Sequence, residues 1–287
     1  MRCLNFAREL MAEVSRLLDV MTLILSWPER VRLCMIWLVL TFKLRLKVKR
    51  DIEFALRWQG PRTPQRAVIS DVSELRVIRE VFVSGEYELP DVAPAVILDL
   101  GSNIGISVLY FRDVYPRARL IAVEADPRTF ERLRRNVGHL QDVELVHAAA
   151  SNRDGMVKLY SGRESWSASV HRAVGLETEY DVPALTIESI LSQVGERRAD
   201  IVKMDIEGSE RAILKTSPGL READLIVFEF HHGDAGDDLW TILDGLVKFT
   251  LVRMMGDSNQ HPLVTVRRRA SGDGSSFEIP WPAVREA

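Results

Sequence analysis

From residue 95 onward, short β-branched runs alternate with helical stretches, and few folds satisfy that alternation. Ala95 to Leu100 (AVILDL), Leu120 to Glu124 (LIAVE), Val143 to Ala148 (VELVHA), Asp200 to Asp205 (DIVKMD) and Leu225 to Phe230 (LIVFEF) read as strands buried on both faces. Helices lie between them. The clearest follows Asp126, a capping residue with Pro127 at the first helical position, and carries Phe130, Leu133 and Val137 on one face. Repeated β-α alternation predicts an α/β fold, a mostly parallel sheet with helices on both faces. Phe249 to Met254 and Leu263 to Arg267 follow one another without a helix and predict a hairpin closing one edge. Met156 to Val170 predicts another short hairpin ahead of the fourth core strand.

The first 75 residues do not share this pattern. Leu4, Ala7, Met11, Val14, Leu18, Met21 and Leu25 step by three and four, the spacing of one helical face. Pro28 suits the first turn of a second helix, and Lys43, Arg45, Lys47 and Lys49 then alternate with Leu44, Leu46 and Val48 as on a half-buried strand. The longest apolar run, Leu33 to Phe42, is about half of the roughly 20 residues needed to span hydrocarbon, and Arg30 and Arg32 precede it. Glu9 and Glu13 interrupt any signal-peptide pattern. The segment is expected to pack on the main domain, to dimerise, or to touch a membrane surface as an apolar helix flanked by basic residues.

Charge divides at the same place. The 287 residues carry a net charge of -3, but residues 1 to 50 hold ten Lys or Arg against four acids (+6), which leaves -9 for the rest. An acidic body argues against a nucleic-acid partner, because phosphate binding needs clustered Lys and Arg. Two cysteines, Cys3 and Cys34, make no disulfide framework, and a nearly thiol-free chain fits a cytoplasmic setting. The expected division is an N-terminal extension of helices and a strand over 1–75 and a catalytic domain over 76–287.

The residues that carry chemistry sit where strands end. Asp99-Leu-Gly101-Ser-Asn103-Ile-Gly105 follows the first core strand, and Glu124 ends the second, 19 residues beyond Gly105. In an open parallel sheet a ligand lies beyond the carboxyl ends of the strands at the switch point, so these turns should share one pocket. Glu124 can take both ribose hydroxyls of an adenosine group. A dinucleotide fingerprint needs Gly where Asn103 stands, since a side chain there obstructs a pyrophosphate. The pattern suits S-adenosylmethionine (SAM) instead, with Asp99 placed to orient its ammonium.

Lys203-Met-Asp205-Ile-Glu207-Gly208-Ser-Glu210 forms the second constellation. Lys203 lies inside a strand that should be apolar, so it needs a compensating charge, and Glu229 in the next strand is the expected partner. Asp205 and His231 end their strands and face the site; His232 should point the other way. Glu207 and Glu210 begin a helix, where acids favour the positive end of the dipole.

Together, Gly85-Glu86-Tyr87, the Asp99 to Gly105 loop, Glu124-Ala125-Asp126-Pro127 with Phe130, Leu133 and Asn136, and the Lys203 to Glu210 block resemble the FkbM family of SAM-dependent methyltransferases over about residues 77 to 232. Ser102 and Ala125 stand where that family often has Ala and Pro. The resemblance implies a Rossmann-like class I methyltransferase with a seven-stranded sheet, and O-methylation of a sugar, glycan or natural-product hydroxyl. The cofactor residues would be Asp99, Gly101, Asn103, Gly105, Glu124 and Ala125.

A methyl transfer needs the acceptor oxygen about 3 to 3.5 Å from the methyl carbon and in line with the breaking bond, and a base helps. His231, then Asp205, are the expected bases, with Lys203 and Glu229 as orienting residues. A divalent metal on Asp205, Glu207 or Glu210 with His231 is the less favoured alternative. An NAD-dependent oxidoreductase and a non-catalytic SAM-binding module also stay open. His139, His147, His171 and His261 are expected to be surface or packing residues, and residues 156 to 182 with the N-terminal region to shape the acceptor pocket.

Overall fold

The computed structural model describes residues 2–46, 52–89, 91–161, 168–169, 178–206, 208–231, 239–256, 261–269 and 284–285. The chain forms two compact units, residues 1–89 with 109–116, and residues 90–108 with 117–287.

In the first unit, helices α1 (Arg2–Thr22) and α2 (Trp27–Arg45) are followed by a hairpin of β1 (Phe54–Gln59) and β2 (Pro64–Ile69), then α3 (Ser73–Phe82). Ser26 caps α2, accepting from Glu29 N, and Pro28 occupies the first turn as its fixed φ favours. α2 continues through Lys43, Leu44 and Arg45, where the sequence alternation suggested a strand; residues 47–51 lie outside the described residues. The core contains Leu17, Val20, Ile24, Leu33, Ile36, Leu40, Leu56, Ile69 and Ile78. The packed side of α1 is therefore not the expected one, for Met11, Val14 and Leu18 are exposed. Asp113 holds the β1–β2 turn, accepting from Arg62 N at 2.8 Å, Thr63 N at 2.9 Å and the Thr63 hydroxyl at 2.6 Å.

The second unit contains β3 (Val96–Leu100), the start of α4 (Ile106–Val114), β4 (Arg119–Glu124), α5 (Pro127–Val137) and β5 (Val143–His147). A separate sheet follows, made of β6 (Ala149–Ala150), β7 (Gly155–Ser161), β8 (Ala168–Ser169) and β9 (Thr178–Leu185). The expected Met156–Val170 hairpin is present as β7 against β8, with β9 on the other side of β7. Next come α6 (Ile187–Gln193), β10 (Ile201–Met204), α7 (Glu210–Thr216), α8 (Pro218–Arg221), β11 (Leu225–Glu229), α9 (Leu239–Gly245), β12 (Phe249–Met255), β13 (Leu263–Arg268) and β14 (Val284–Arg285).

The main sheet runs β14-β12-β13-β11-β10-β3-β4-β5. The five core strands are parallel, and β13 is antiparallel to both β11 and β12. The two residues of β14 add an eighth strand beside the seven expected. β3, β10 and β11 are buried almost throughout, whereas edge strand β5 exposes Glu144, so burial on both faces fails there. From β3 the chain winds one way through β4 and β5, and it returns on the other side through β10 and β11. The switch point is thus between β3 and β10, where ligands of open α/β sheets bind.

Candidate active site

Gly101 turns the chain out of β3 with φ +75°, and its N–H and that of Ser102 both donate to Val123 O. A Cβ at Gly101 would lie 1.8 Å from Asp205 O, so only glycine lets this turn press on the end of β10. Asn103 also has positive φ (+49°), which a short amide side chain tolerates. Gly105 (φ +95°) leaves room for Val137 and Leu133 of α5, and Asn136 Nδ2 donates to Ile104 O at 2.9 Å.

Glu124 closes the loop from the other side. Its Oε2 accepts from Asn103 N and its Oε1 from Asp126 N, both at 2.9 Å. Burial pushes its carboxyl up to about 7, opposed in part by those two N–H groups. Asp126 caps α5 by accepting from Arg128 N and Thr129 N, as expected, with Leu133 and Val137 buried beneath. Phe130 stacks on His147 at 4.8 Å, and a ring nitrogen of His147 meets Ala125 O at 3.1 Å, so this histidine packs beside the loop.

The compensation of Lys203 differs from the sequence expectation. Its Nζ lies 3.1 Å from Asp99 Oδ1 and 4.0 Å from Asp205 Oδ2, and donates to Gly101 O at 2.7 Å. Lys203 pairs in register with Asp99 on β3, so that strand supplies a counter-charge the sequence expectation, Glu229 at the end of β11, did not include. Burial alone would lower its pKa; attraction by Asp99, then Asp205, outweighs burial and raises it. The other Asp99 oxygen accepts from Ser107 Oγ at 2.6 Å, which turns this carboxylate inward.

Beyond β10, Glu210 is fully buried and organises the next loop. It accepts from Ile206 N and Gly208 N, both at 2.9 Å, and its Oε1 lies 3.0 Å from His231 Nδ1. Ile206 also borders Gly101, so the glycine turn, the Lys203 strand and His231 form one connected site. Glu207 and His232 lie outside the described residues.

His261, expected at the surface or in packing, is exposed, and the structure also sets it beside His231. β11 and β13 pair Glu229 with Leu263, and the ladder continues as Phe230 N donates to Pro262 O. One further step sets His261 across from His231, with ring centroids 4.6 Å apart. Glu229, His231 and His261 each bring one ligand atom within 4.8 Å of the others, a set that could hold a metal ion. No local signal in the sequence marks this proximity, because it depends on the register of β13 against β11.

The methyltransferase FkbM domain matches residues 99–254, more than half of the chain. The chain is 28% identical over 158 residues to the 2-O-methyltransferase NoeI of Sinorhizobium fredii, covering 50% of this chain and 63% of NoeI, short of two thirds of that relative. It is 24% identical over 181 residues to the methyltransferase sdnD of Sordaria araneosa, covering 51% of this chain and 70% of sdnD. Among solved structures, the putative methyltransferase yhhF of Escherichia coli aligns with TM-score 0.44 and 15% identity, over 76% of this chain and 100% of that one.

Proposed function

The chain belongs to the methyltransferase FkbM domain family, and on that premise we propose that it O-methylates a hydroxyl of a sugar, glycan or natural-product acceptor with SAM as donor. The observation that carries this reading is the continuity from Glu124 through the Gly101–Gly105 loop and Ile206 to the Glu210–His231 pair. We read it as an adenosine-type site beside a base, near the switch point of the sheet.

The residues fit SAM. Glu124 ends β4 as a buried carboxylate able to accept from ribose hydroxyls, and Asn103 Oδ1 is a buried oxygen with no hydrogen-bond partner among the described residues. When bound, SAM supplies an electrophilic methyl group on a sulfonium. Lys203 holds the loop through Gly101 O, while Asp99 and Ser107 keep that lysine charged and in place. Asp205, partly exposed at the end of β10, orients the acceptor hydroxyl. With its Nδ1 proton donated to Glu210, His231 takes the acceptor proton at Nε2. Glu229 and His261 border that histidine on the acceptor side. The name of NoeI, a 2-O-methyltransferase, supports oxygen as the acceptor atom.

Calorimetric titration with SAM, S-adenosylhomocysteine and NADH tests the donor, and S-adenosylhomocysteine release with a panel of hydroxylated glycans tests the transfer. SAM should bind and NADH should not. Tight NADH binding without a response to SAM overturns the reading, and SAM binding without turnover on any hydroxyl acceptor marks a binding module.

A further inference from the structure

Helix α2 is apolar on two opposite sides, and only one is packed. Leu33, Ile36 and Leu40 are buried in the first unit, whereas Trp27, Val31, Met35, Leu38 and Phe42 face solvent at 72%, 47%, 58%, 53% and 65% exposure. These five recur at steps of three and four, a continuous stripe about 100° wide. A helix apolar all round belongs in a core or against lipid. α1 repeats the arrangement on a smaller scale, burying Leu17 and Val20 while exposing Met11, Val14 and Leu18. Scattered apolar residues on a surface are ordinary, but two such rows on successive helices are not.

The charges favour one occupant. Arg30 and Arg32 lie near the start of α2, Lys43 and Arg45 at its end, and Lys47, Lys49 and Arg50 follow in the sequence, part of the +6 balance of residues 1 to 50. A second copy docking on this face would bring two such balances together and pay a repulsive cost. An anionic bilayer surface accepts the apolar row at its acyl boundary and the cations among its headgroups. Trp27 and Phe42, at the two ends of the stripe, suit the interfacial zone where aromatic rings settle. No helix among the described residues is long and apolar enough to cross a membrane, so α2 would lie in the plane of the surface. We propose that the exposed faces of α1 and α2 form a docking surface for membranes rich in anionic phospholipid.

Co-sedimentation of the full chain with vesicles of phosphatidylcholine alone, and of phosphatidylcholine with phosphatidylserine, tests this directly. Binding should be about tenfold stronger to the anionic vesicles and should weaken in 0.5 M salt as screening shortens the Debye length to about 4 Å. The variant Val31→Asp/Met35→Asp/Phe42→Asp should stay in the supernatant while keeping the circular dichroism and SAM affinity of the parent. Arg45→Glu/Lys47→Glu should lose most of the preference for anionic vesicles. Failure to sediment with either vesicle overturns the proposal, as does a dimer in analytical ultracentrifugation that the triple variant dissociates. SAM titration on the same samples reports the methyltransferase site separately, so either reading can fail alone.

Discussion

His231 Nδ1 lies 3.0 Å from Oε1 of Glu210, a carboxylate with no exposed surface that also accepts the N–H groups of Ile206 and Gly208. One buried acid thereby sets the orientation of a strand-end histidine and the path of the loop after β10. Replacing His231 with Ala should lower kcat about 10²- to 10⁴-fold, the usual worth of a positioned base, with little change in SAM affinity. Steady-state kinetics beside calorimetry checks it, and full turnover in His231→Ala places the base elsewhere.

Glu210→Gln keeps the shape of that contact but replaces a carboxyl oxygen by an amide beside His231. We expect a smaller fall in kcat than in His231→Ala, about tenfold, with SAM affinity kept, because the amide orients the imidazole less firmly than the carboxylate. Unchanged kcat in steady-state kinetics would make Glu210 only a loop clamp.

Glu124 titrates near pH 7 in the folded chain against an ordinary value of 4.5, chiefly because it is buried. Between those pH values the folded chain keeps a proton that the unfolded chain has released, so stability from this group falls as pH rises from about 5 to 8, by at most about 3 kcal/mol. Urea midpoints at the two pH values should differ less in Glu124→Gln than in the parent. An equal difference in both removes Glu124 as the cause. SAM affinity should move oppositely, tightening as pH rises through 7 because ribose hydroxyls donate to the ionised carboxylate.

Lys203→Met leaves Asp99 buried beside Ser107 without its cation. Breaking a buried pair by removing one partner costs about 3 to 5 kcal/mol, whereas replacing both with apolar residues can be close to neutral. Denaturation of Lys203→Met and of Lys203→Met/Asp99→Leu should show a large loss in the first and a partial recovery in the second.

Gly101→Ala sets a methyl group 1.8 Å from Asp205 O in a residue with φ +75°. The β3 turn must then move away from β10, and we expect a loss of about 3 kcal/mol or more together with SAM binding. Thermal unfolding and calorimetry on the same sample check both effects.

Much of the second unit was legible in the sequence because its signals are local. Strand runs such as AVILDL and LIVFEF, the Asp126-Pro127 helix start and the two glycines of the loop each depend on neighbours a few residues away. The partner of Lys203 was not legible. A strand in a sheet has two neighbours, and chain order points to β11, while sheet order also places β3 and its Asp99 alongside. His261 escaped for the same reason, since only the register of β13 against β11 sets it across from His231. On α1, periodicity marked the row with Met11, Val14 and Leu18, but the fold covers Leu17 and Val20 instead, because the helix offers two apolar rows and only packing chooses between them.

The sequence by itself determined the α/β alternation, the Gly101–Gly105 loop and the Glu124 strand end, the family, and the separation of a basic start from an acidic body. Each follows from short-range periodicity, turn chemistry or counting. Only the tertiary structure decided which charges meet Lys203, which acid holds His231, that a third side chain joins Glu229 and His231, and which helical faces stay in solvent. The contacts of His231 with Glu210 and of Lys203 with Gly101 join residues 21 and 102 positions apart and, like that of His231 with His261, are fixed by sheet order and packing rather than by local preference.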